Sequence, residues 1–445
     1  MVPYIVREYG LLSRSAEVRL EQNPIDRQAI PASAWDWLLA ECCGDGLHKQ
    51  LVRPRKVGGS VYLQVLNYAG VITTPCGTQL EIVPKSFASN NWLALARGRK
   101  VLLKMLNRVY DLKVREFDLG NLELFDGPLH EILIGHFLNE VKALIRQGAR
   151  SSYRDNMSEL SFLRGRLRTS DQLRQPPSRQ HKFQVEYEEF SRNRPENRLI
   201  RSSLAHALKW SKITANQRLA RELIFAFDDI PTSKDTKADF RKWQSDRTMQ
   251  HYKPLKYWCE LILEERNPRM LAGKHFGQSF LFPMNELFER YVGSVLRSQL
   301  RPGFELKEQA SSKYLIESYS GKPAYQLRPD ILILNNKRFH SVLDCKWKIL
   351  SQSSTSRFRS SVDDATASQG DLYQLFAYGH KYLNGEGATY LIYPHQPGLE
   401  LVSEPMEYSD RLQAFMIPFD LETDRFCGLP PDFMTTPNID LSVSN

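Results

Sequence analysis

Several things are missing from this chain, and each omission closes off a class of function. No run of roughly eighteen apolar residues occurs, so no membrane-spanning helix is expected. The start, "MVPYIVREYGLLSRSAEVRL", has no basic segment leading into an apolar core and small cleavage residues, so no signal peptide is expected. Cysteine is scarce: the six (Cys42, Cys43, Cys76, Cys259, Cys345, Cys427) form no CxxC and no matched spacing. They fit buried free thiols in a reducing cytoplasm better than a disulfide framework or a redox pair. The ten histidines make no HxxH or HxxxH cluster, which argues against zinc. No GxSxG elbow marks a serine hydrolase. No GxxxxGKS or GxxxxGKT occurs either, so the chain has no P-loop with which to power movement. Internal repeats and low-complexity tracts are also missing.

What is present is a soluble composition with a basic balance. Lys and Arg total 60 against 51 Asp and Glu, a net charge of +9. That surplus favours a polyanionic partner, since phosphate contacts are the usual use of surface Arg and Lys. Two Arg-rich tracts are interleaved with apolar and aromatic residues: "RSSYRDNMSELSFLRGRLRTSDQLRQ" (150–175) and "SRNRPENRLIRSSLAHALKWSK" (191–212). At 445 residues the chain is too long for one ordinary core.

Three regions differ in period. Residues 1–90 read as a β-rich domain, because "GGSVYLQVLNYAGVITTPCGTQLEIVPK" (58–85) alternates apolar and polar residues between Gly turn signals, as a small meander or barrel does. Residues 91–270 read as mainly helical, a partner- or DNA-contacting region. "NWLALARGRKVLLKMLNRVYDL", "GPLHEILIGHFLNEVKALIRQ" and segments 195–228 and 252–266 carry apolar residues three and four apart. Residues 271–445 run helix ("FPMNELFERYVGSVLRSQL"), strands "KYLIESYS", "YQLRPDILIL" and "HSVLDCKWKIL", a polar loop (351–367), helix ("SQGDLYQLFAYGHKYLN") and strand ("ATYLIYP"), an αβββαβ order. The fold class is therefore α/β and multidomain.

The chemistry concentrates in this last region. Side chains alternate along a strand, so Asp344 and Lys346 share one face while Cys345 points away. The preceding strand carries Asp330, and "LNNKRF" between them has the Asn-Asn signal of a hairpin. Antiparallel pairing then brings Asp330 beside Asp344 and Lys346. Two adjacent carboxylates repel and raise a pKa, whereas Mg2+ takes oxygen ligands and keeps waters and a substrate phosphate. The lysine can then orient a metal-bound water or balance charge on a scissile phosphate, which is metal-assisted phosphodiester hydrolysis. Asp-x-Lys alone says little, because Asp111-Leu-Lys113 and Asp235-Thr-Lys237 share the spacing. Only the triple at 344 follows a Pro-Asp on an apolar run and precedes Gln374-x-x-x-Tyr378, an amide and a phenol on one helix face. A further carboxylate could come from Glu286 or Glu289. Arg164, Arg166 and Arg168 alternate on a stretch that faces DNA, a protein partner or only solvent. In "RNRPENRLIR" (192–201), Pro195 opens a helix, and a structural role is expected.

Arg328-Pro329-Asp330, Asp344-Cys345-Lys346 and Gln374-x-x-x-Tyr378 together resemble a PD-(D/E)xK nuclease core with the helix motif of RecB-type members. With "FLRGRLRTSDQL" (162–173), "EEFSRNRPENRLIRSSL" (188–204), "MNELFERYV" (284–292), "RPDILI" (328–333), "DCKWK" (344–348) and "DLYQLFAYGHKY" (371–382), the chain resembles the McrC family of McrBC-type restriction systems over roughly residues 90–400. The resemblance implies a Mg2+-dependent endonuclease subunit. Asp330, Asp344 and the Cys345 carbonyl would be metal ligands, Lys346 the catalytic lysine, and Gln374 and Tyr378 would support the site or touch DNA. It also implies double-stranded, methylated or otherwise modified DNA as substrate. The implied partner is a hexameric, GTP-hydrolysing McrB-like AAA+ ring, whose hydrolysis the chain stimulates and whose stalled translocation triggers cutting. Two other readings use the same residues: a stand-alone repair exonuclease or junction resolvase, and a non-catalytic adaptor of an AAA+ motor.

Overall fold

A computed structural model describes residues 3–14, 25–43, 51–85, 92–110, 128–244, 246–263, 278–348, 368–395, 405–427 and 431–435. The chain forms two compact units. The first combines its two ends, Met1–Asp111 and Leu281–Asn445, and the second is built from Gly127–Phe280.

The N-terminal part of the first unit holds β1 (Tyr4–Arg7), β2 (Leu11–Ser13), β3 (Arg27–Ala29), α1 (Ala32–Cys42), β4 (Val52–Val57), β5 (Ser60–Val65), β6 (Tyr68–Thr73) and β7 (Gln79–Val83). The region is β-rich, but it is not one meander. The stretch that alternates in sequence is shared between two sheets: β5 pairs with β4 and β2, whereas β6 pairs with β7, beside which β1 runs parallel. Trp35 and Leu38 of α1 pack with Leu12, Leu63, Val65, Ile72 and Ile82 in one core. All five residues of β7 are buried, which is why simple alternation misreads it. Helix α2 (Trp92–Tyr110) belongs to this unit. Its Arg99 makes a two-pronged ion pair with Glu81 of β7 at 2.6 and 2.9 Å.

In the second unit α3 (Leu129–Gln147) precedes β8 (Ser152–Leu160), β9 (Arg166–Leu167), α4 (Thr169–Leu173) and β10 (Phe183–Ser191). Then come α5 (Pro195–Trp210), α6 (Thr214–Ala226), α7 (Thr236–Arg241) and α8 (Lys253–Ile262). The sheet order is β8-β10-β9, an arm within an otherwise helical unit. Pro195 occupies the first turn of α5, as expected. The polar residues around it are structural: Asn197 Nδ2 donates to the carbonyls of Arg150 (2.9 Å) and Arg192 (2.8 Å), and Arg198 pairs with Asp239. Asp235 of the decoy Asp-Thr-Lys caps α7, accepting from the Ala238 amide at 3.0 Å.

The chain then returns to the first unit through β11 (Gln278–Pro283), which joins the sheet of β1, β7 and β6. It continues as α9 (Met284–Gln299), β12 (Phe304–Glu308), β13 (Lys313–Tyr319), β14 (Lys322–Leu327), β15 (Ile331–Asn335), β16 (Arg338–Cys345), α10 (Gln369–Leu383), β17 (Gly387–Pro394), β18 (Met406–Ser409), β19 (Leu412–Asp420) and β20 (Arg425–Phe426). The main sheet runs β12-β15-β16-β17-β19-β18, with β20 beside β19. Two expectations need correction. "KYLIESYS" is not a strand of this sheet, because β13 pairs only with β14 in an exposed hairpin. "YQLRPDILIL" is not one strand either: it breaks at Arg328–Asp330, between β14 and β15, where Pro329 has no amide to give a ladder. The sheet's first strand is instead β12, a charged edge. The expected polar loop at 351–367 lies outside the described residues.

Helices cover both faces of this sheet. Leu375, Tyr378 and Tyr382 of α10 pack on Leu332, Val342, Leu391 and Met416. On the other face, Phe288 of α9 lies 5.3 Å from Trp347 and 6.3 Å from Phe419, ring centre to ring centre. All six cysteines are free, and Cys42, Cys259 and Cys345 are buried, but Cys76 is exposed. Among the described residues no helix is long and apolar enough to cross a membrane.

The β15–β16 turn contains only Asn336 and Lys337, both left-handed, at φ 48° and 66°. A type I′ turn requires this and favours Asn-Gly. Lys337→Gly should therefore raise stability by roughly 0.5–1 kcal/mol, read as a higher denaturant midpoint.

Candidate active site

One register decides the site. Strands β15 and β16 are antiparallel with Ile331 opposite Leu343 and Leu332 opposite Val342. The next pair outward is Asp330 with Asp344, and opposed residues share a face. That face is the one covered by α10, since Leu332 and Val342 both pack there. Asp330 Oδ2 accepts the Cys345 amide at 2.7 Å, which fixes its carboxylate across the strand end. Parallel pairing of β16 with β17 puts this end at the carboxyl edge of the parallel strands, where α/β sheets place their sites.

The sequence placed Asp344 and Lys346 on one face with Cys345 opposite. Lys346 Nζ is 2.6 Å from Asp344 Oδ2, while the Cys345 side chain is buried. Gln374 and Tyr378 do converge on the lysine. Gln374 accepts from Lys346 Nζ at 2.8 Å and donates to the Tyr378 hydroxyl at 2.8 Å, which donates to the Arg328 carbonyl at 3.0 Å. This chain of bonds fastens α10 to the segment entering Asp330. Glu289 is half-buried, its charge is felt by Asp330, and it in turn feels Asp344, whereas Glu286 is exposed. The amide of Gln309 holds Glu289 Oε1 at 3.1 Å.

Asp371 and Lys348 escaped the sequence reading. Asp371, on the first turn of α10, sits 3.8 Å from Lys346 Nζ and 2.5 Å from Lys348 Nζ. It also completes a capping box with Ser368. Ser-x-x-Asp before an apolar helix was the available signal, but it reads first as a helix start.

The electrostatics are those of carboxylates packed too closely. Burial, then the charges of Asp344 and Glu289, push Asp330 up to about 8. Burial likewise raises Asp344 and Glu289; Lys346 offsets only part of it at Asp344, and the Gln309 amide only part of it at Glu289. Lys346 is held charged despite its own burial, chiefly by Asp344. Burial pushes Asp371 upward too, but Lys348 and Ser368 outweigh it and hold that carboxyl low. Among the described residues no group of three or more His, Cys, Asp or Glu forms a ready metal cage. Two carboxylates with raised affinity for positive charge nonetheless fit Mg2+, which usually takes one or two carboxylates and completes its shell with water and phosphate. Asp330 and Asp344 are the residues that would hold it, with the Cys345 carbonyl beside them.

The predicted Arg164, Arg166 and Arg168 lie on the arm. Arg164 stacks over Tyr187 at 4.1 Å, Arg168 pairs with Asp171, and Arg166 is exposed. The arm also exposes Tyr153, Met157 and Phe190, with the rings of the opposed Tyr153 and Phe190 5.1 Å apart.

The family described as "McrBC 5-methylcytosine restriction system component" matches residues 63–394. The "Type IV methyl-directed restriction enzyme EcoKMcrBC" of Escherichia coli (strain K12) is 26% identical over 299 residues, 63% of this chain and 82% of that protein. Among solved structures, a chain of the half-complex from the tetradecameric assembly of Thermococcus gammatolerans McrB AAA+ hexamers with bound McrC matches with TM-score 0.60 and 22% identity. The match covers 82% of this chain and 80% of that one, and it speaks for a shared fold.

A pH prediction follows from Asp330. Its folded value lies above the unfolded one, so between them the folded state holds more protons, and stability falls as pH rises. Without divalent metal, the contribution should be fully present below about 4 and lost as pH rises through about 8. Asp330→Asn should flatten this slope in denaturation measured from pH 5 to 9. An unchanged slope would show that Asp330 is not the group responsible.

Proposed function

The chain belongs to the McrBC 5-methylcytosine restriction system component family, as a McrC-type protein, and from that premise we propose that it is the DNA-cutting subunit of such a complex. The observation that carries the reading is the convergence of Asp330, Asp344 and Lys346 at one strand end, braced by Gln374 and Tyr378. In this reading the C-terminal sheet with α9 and α10 is a PD-(D/E)xK core. Its β12, β15, β16 and β17 with the two helices give the αβββαβ order, and the β13–β14 hairpin is an insertion.

Mg2+, when bound, supplies Lewis acidity and a nucleophile at neutral pH. Asp330 and Asp344 would hold it. Lys346 stays protonated and anchored through Gln374, so it presents positive charge to the developing charge on the phosphate. Tyr378 fixes Gln374 and, through the Arg328 carbonyl, the approach to Asp330. Lys348, paired with Asp371, adds a second cation close to the phosphate path. The basic balance of the chain suits duplex DNA.

The partner is a McrB-like, GTP-hydrolysing AAA+ ring, and modified DNA is the substrate of the joint complex. The β8–β10 arm is the surface that engages the ring. Its Tyr153, Met157 and Phe190 share a face and stand exposed, and an apolar patch of that kind marks an interaction site.

Two outcomes test this. With Mg2+, methylated plasmid, GTP and the ring ATPase, Lys346→Ala should cut at least about 100-fold more slowly than wild type. It should still stimulate GTP hydrolysis. Cutting by the variant at the wild-type rate would dismiss the site, and cutting by wild type without ring or GTP would favour a stand-alone nuclease. Tyr153→Ser with Phe190→Ser should raise the concentration needed for half-maximal stimulation of the ring by at least about 30-fold while leaving folding intact, each interface aromatic contributing about 1–2 kcal/mol. Undiminished stimulation would place the ring contact elsewhere.

A further inference from the structure

Lys346 leaves the sheet as it reaches the site. Strand β16 ends at Cys345, and one further bond, from the Lys346 amide to the Ile392 carbonyl at 2.8 Å, prolongs the ladder. The next residue, Trp347, is nearly buried, and two groups from the other end of the chain grip it. Its indole Nε1 donates to Glu8 Oε2 at 2.8 Å, and its carbonyl accepts from Lys85 Nζ at 2.6 Å. The Phe288 ring backs the indole.

Glu8 and Lys85 are built for this. They follow β1 and β7, parallel neighbours, and so emerge side by side. The Glu8 amide bonds to the Val83 carbonyl at 2.9 Å, and Glu8 Oε1 lies 3.7 Å from Lys85 Nζ. Glu8 is 2% exposed and Lys85 9%. Tyr9, which the Lys85 ammonium overlies at 4.6 Å, is held left-handed at φ 66°, an unusual conformation for a bulky residue. A buried ion pair is a poor way to gain stability, because desolvation consumes most of the attraction. This pair instead spends its hydrogen bonds on the residue after the lysine of the site.

We propose that Glu8 and Lys85 are positioning residues for Lys346: by clamping the backbone and indole of Trp347 they hold Lys346 Nζ against Asp344 and Gln374. The inference rests on the nuclease reading above for its effect on cutting, and on geometry alone for its effect on the lysine. It makes the N-terminal sheet part of the cutting machinery, so that the two ends of the chain assemble one site.

The test uses the full chain with two readouts. In single-turnover cleavage with Mg2+, GTP and the ring ATPase, Lys85→Met and Trp347→Phe should each slow cutting by roughly 10- to 100-fold, since a misplacement of about 1 Å costs that much. The DNA concentration giving half-maximal rate should stay unchanged. Glu8→Gln, which keeps an acceptor for the indole, should cut faster than Glu8→Leu. In the second readout, an amine-acylating reagent labels the isolated chain and mass spectrometry compares Lys346 with Lys104, an ion-paired lysine elsewhere on the same unit. Lys346 labelling should rise severalfold in Lys85→Met relative to Lys104. Wild-type cutting or an unchanged labelling ratio in Lys85→Met would overturn the proposal. If that variant fails to fold, Trp347→Phe, which keeps a ring against Phe288, decides by the same two criteria. A wild-type chain that never cuts would sink the nuclease reading, while the labelling ratio would still decide the clamp.

Discussion

Everything at the candidate site depends on the pairing of Ile331 with Leu343. A slip of one residue along either strand would send its aspartate to the opposite face, because side chains alternate with a period of two. The two-residue turn at Asn336 and Lys337 would by itself set a pairing one residue out, and the shift in register between Ile333 and Leu334 corrects it. Leu332 and Val342 must both meet α10, which holds that corrected register in place. Hydrophobic burial therefore specifies where the charges go, and the charges then meet at a strand end without any choice of their own.

That arrangement is costly until something positive occupies it. Asp330, Asp344 and Glu289 all hold their protons more tightly than ordinary carboxyls, and Lys346 compensates part of that at the two aspartates. Gln374, Tyr378, Asp371 and Lys348 extend the network outward along α10, so that the lysine is held by an amide and not by charge alone. Strain of this kind is affordable where surrounding packing over-determines the geometry. Here the aromatic layer of Phe288, Trp347 and Phe419 on the opposite face supplies that packing. The Glu8–Lys85 grip on Trp347 ties the same layer to the N-terminal sheet.

Much of the site was legible in the sequence because its logic is local. Asp-x-Lys fixes a shared strand face, Asn-Asn marks a hairpin, and Gln374 with Tyr378 lies on one helix face. The helices α3, α5, α9 and α10 were legible through their apolar spacing. What was hidden depends on contacts distant in sequence or on strands without an apolar signature. β12 reads "FELKE", a charged edge, and passed unnoticed, while β13 read as a strand of the main sheet and lies in an exposed hairpin with β14. The choice of Glu289 over Glu286 needed the rotation of α9 about its axis. Glu8 meets Trp347 across most of the chain, and no local pattern announces such a pair. The N-terminal region was legible as β-rich, a small meander or barrel, but its division between two sheets was hidden because β6 and β7 are buried almost throughout.

The central claim is that Asp330 and Asp344 form a divalent-cation site. A crystal structure of the protein grown with Mn2+, with anomalous scattering recorded at the manganese edge, tests it most directly. The account predicts an anomalous peak coordinated by both carboxylates, absent from Asp344→Asn crystals grown the same way. Ordered carboxylates with no peak between them, and Lys346 still paired to Asp344, would contradict it.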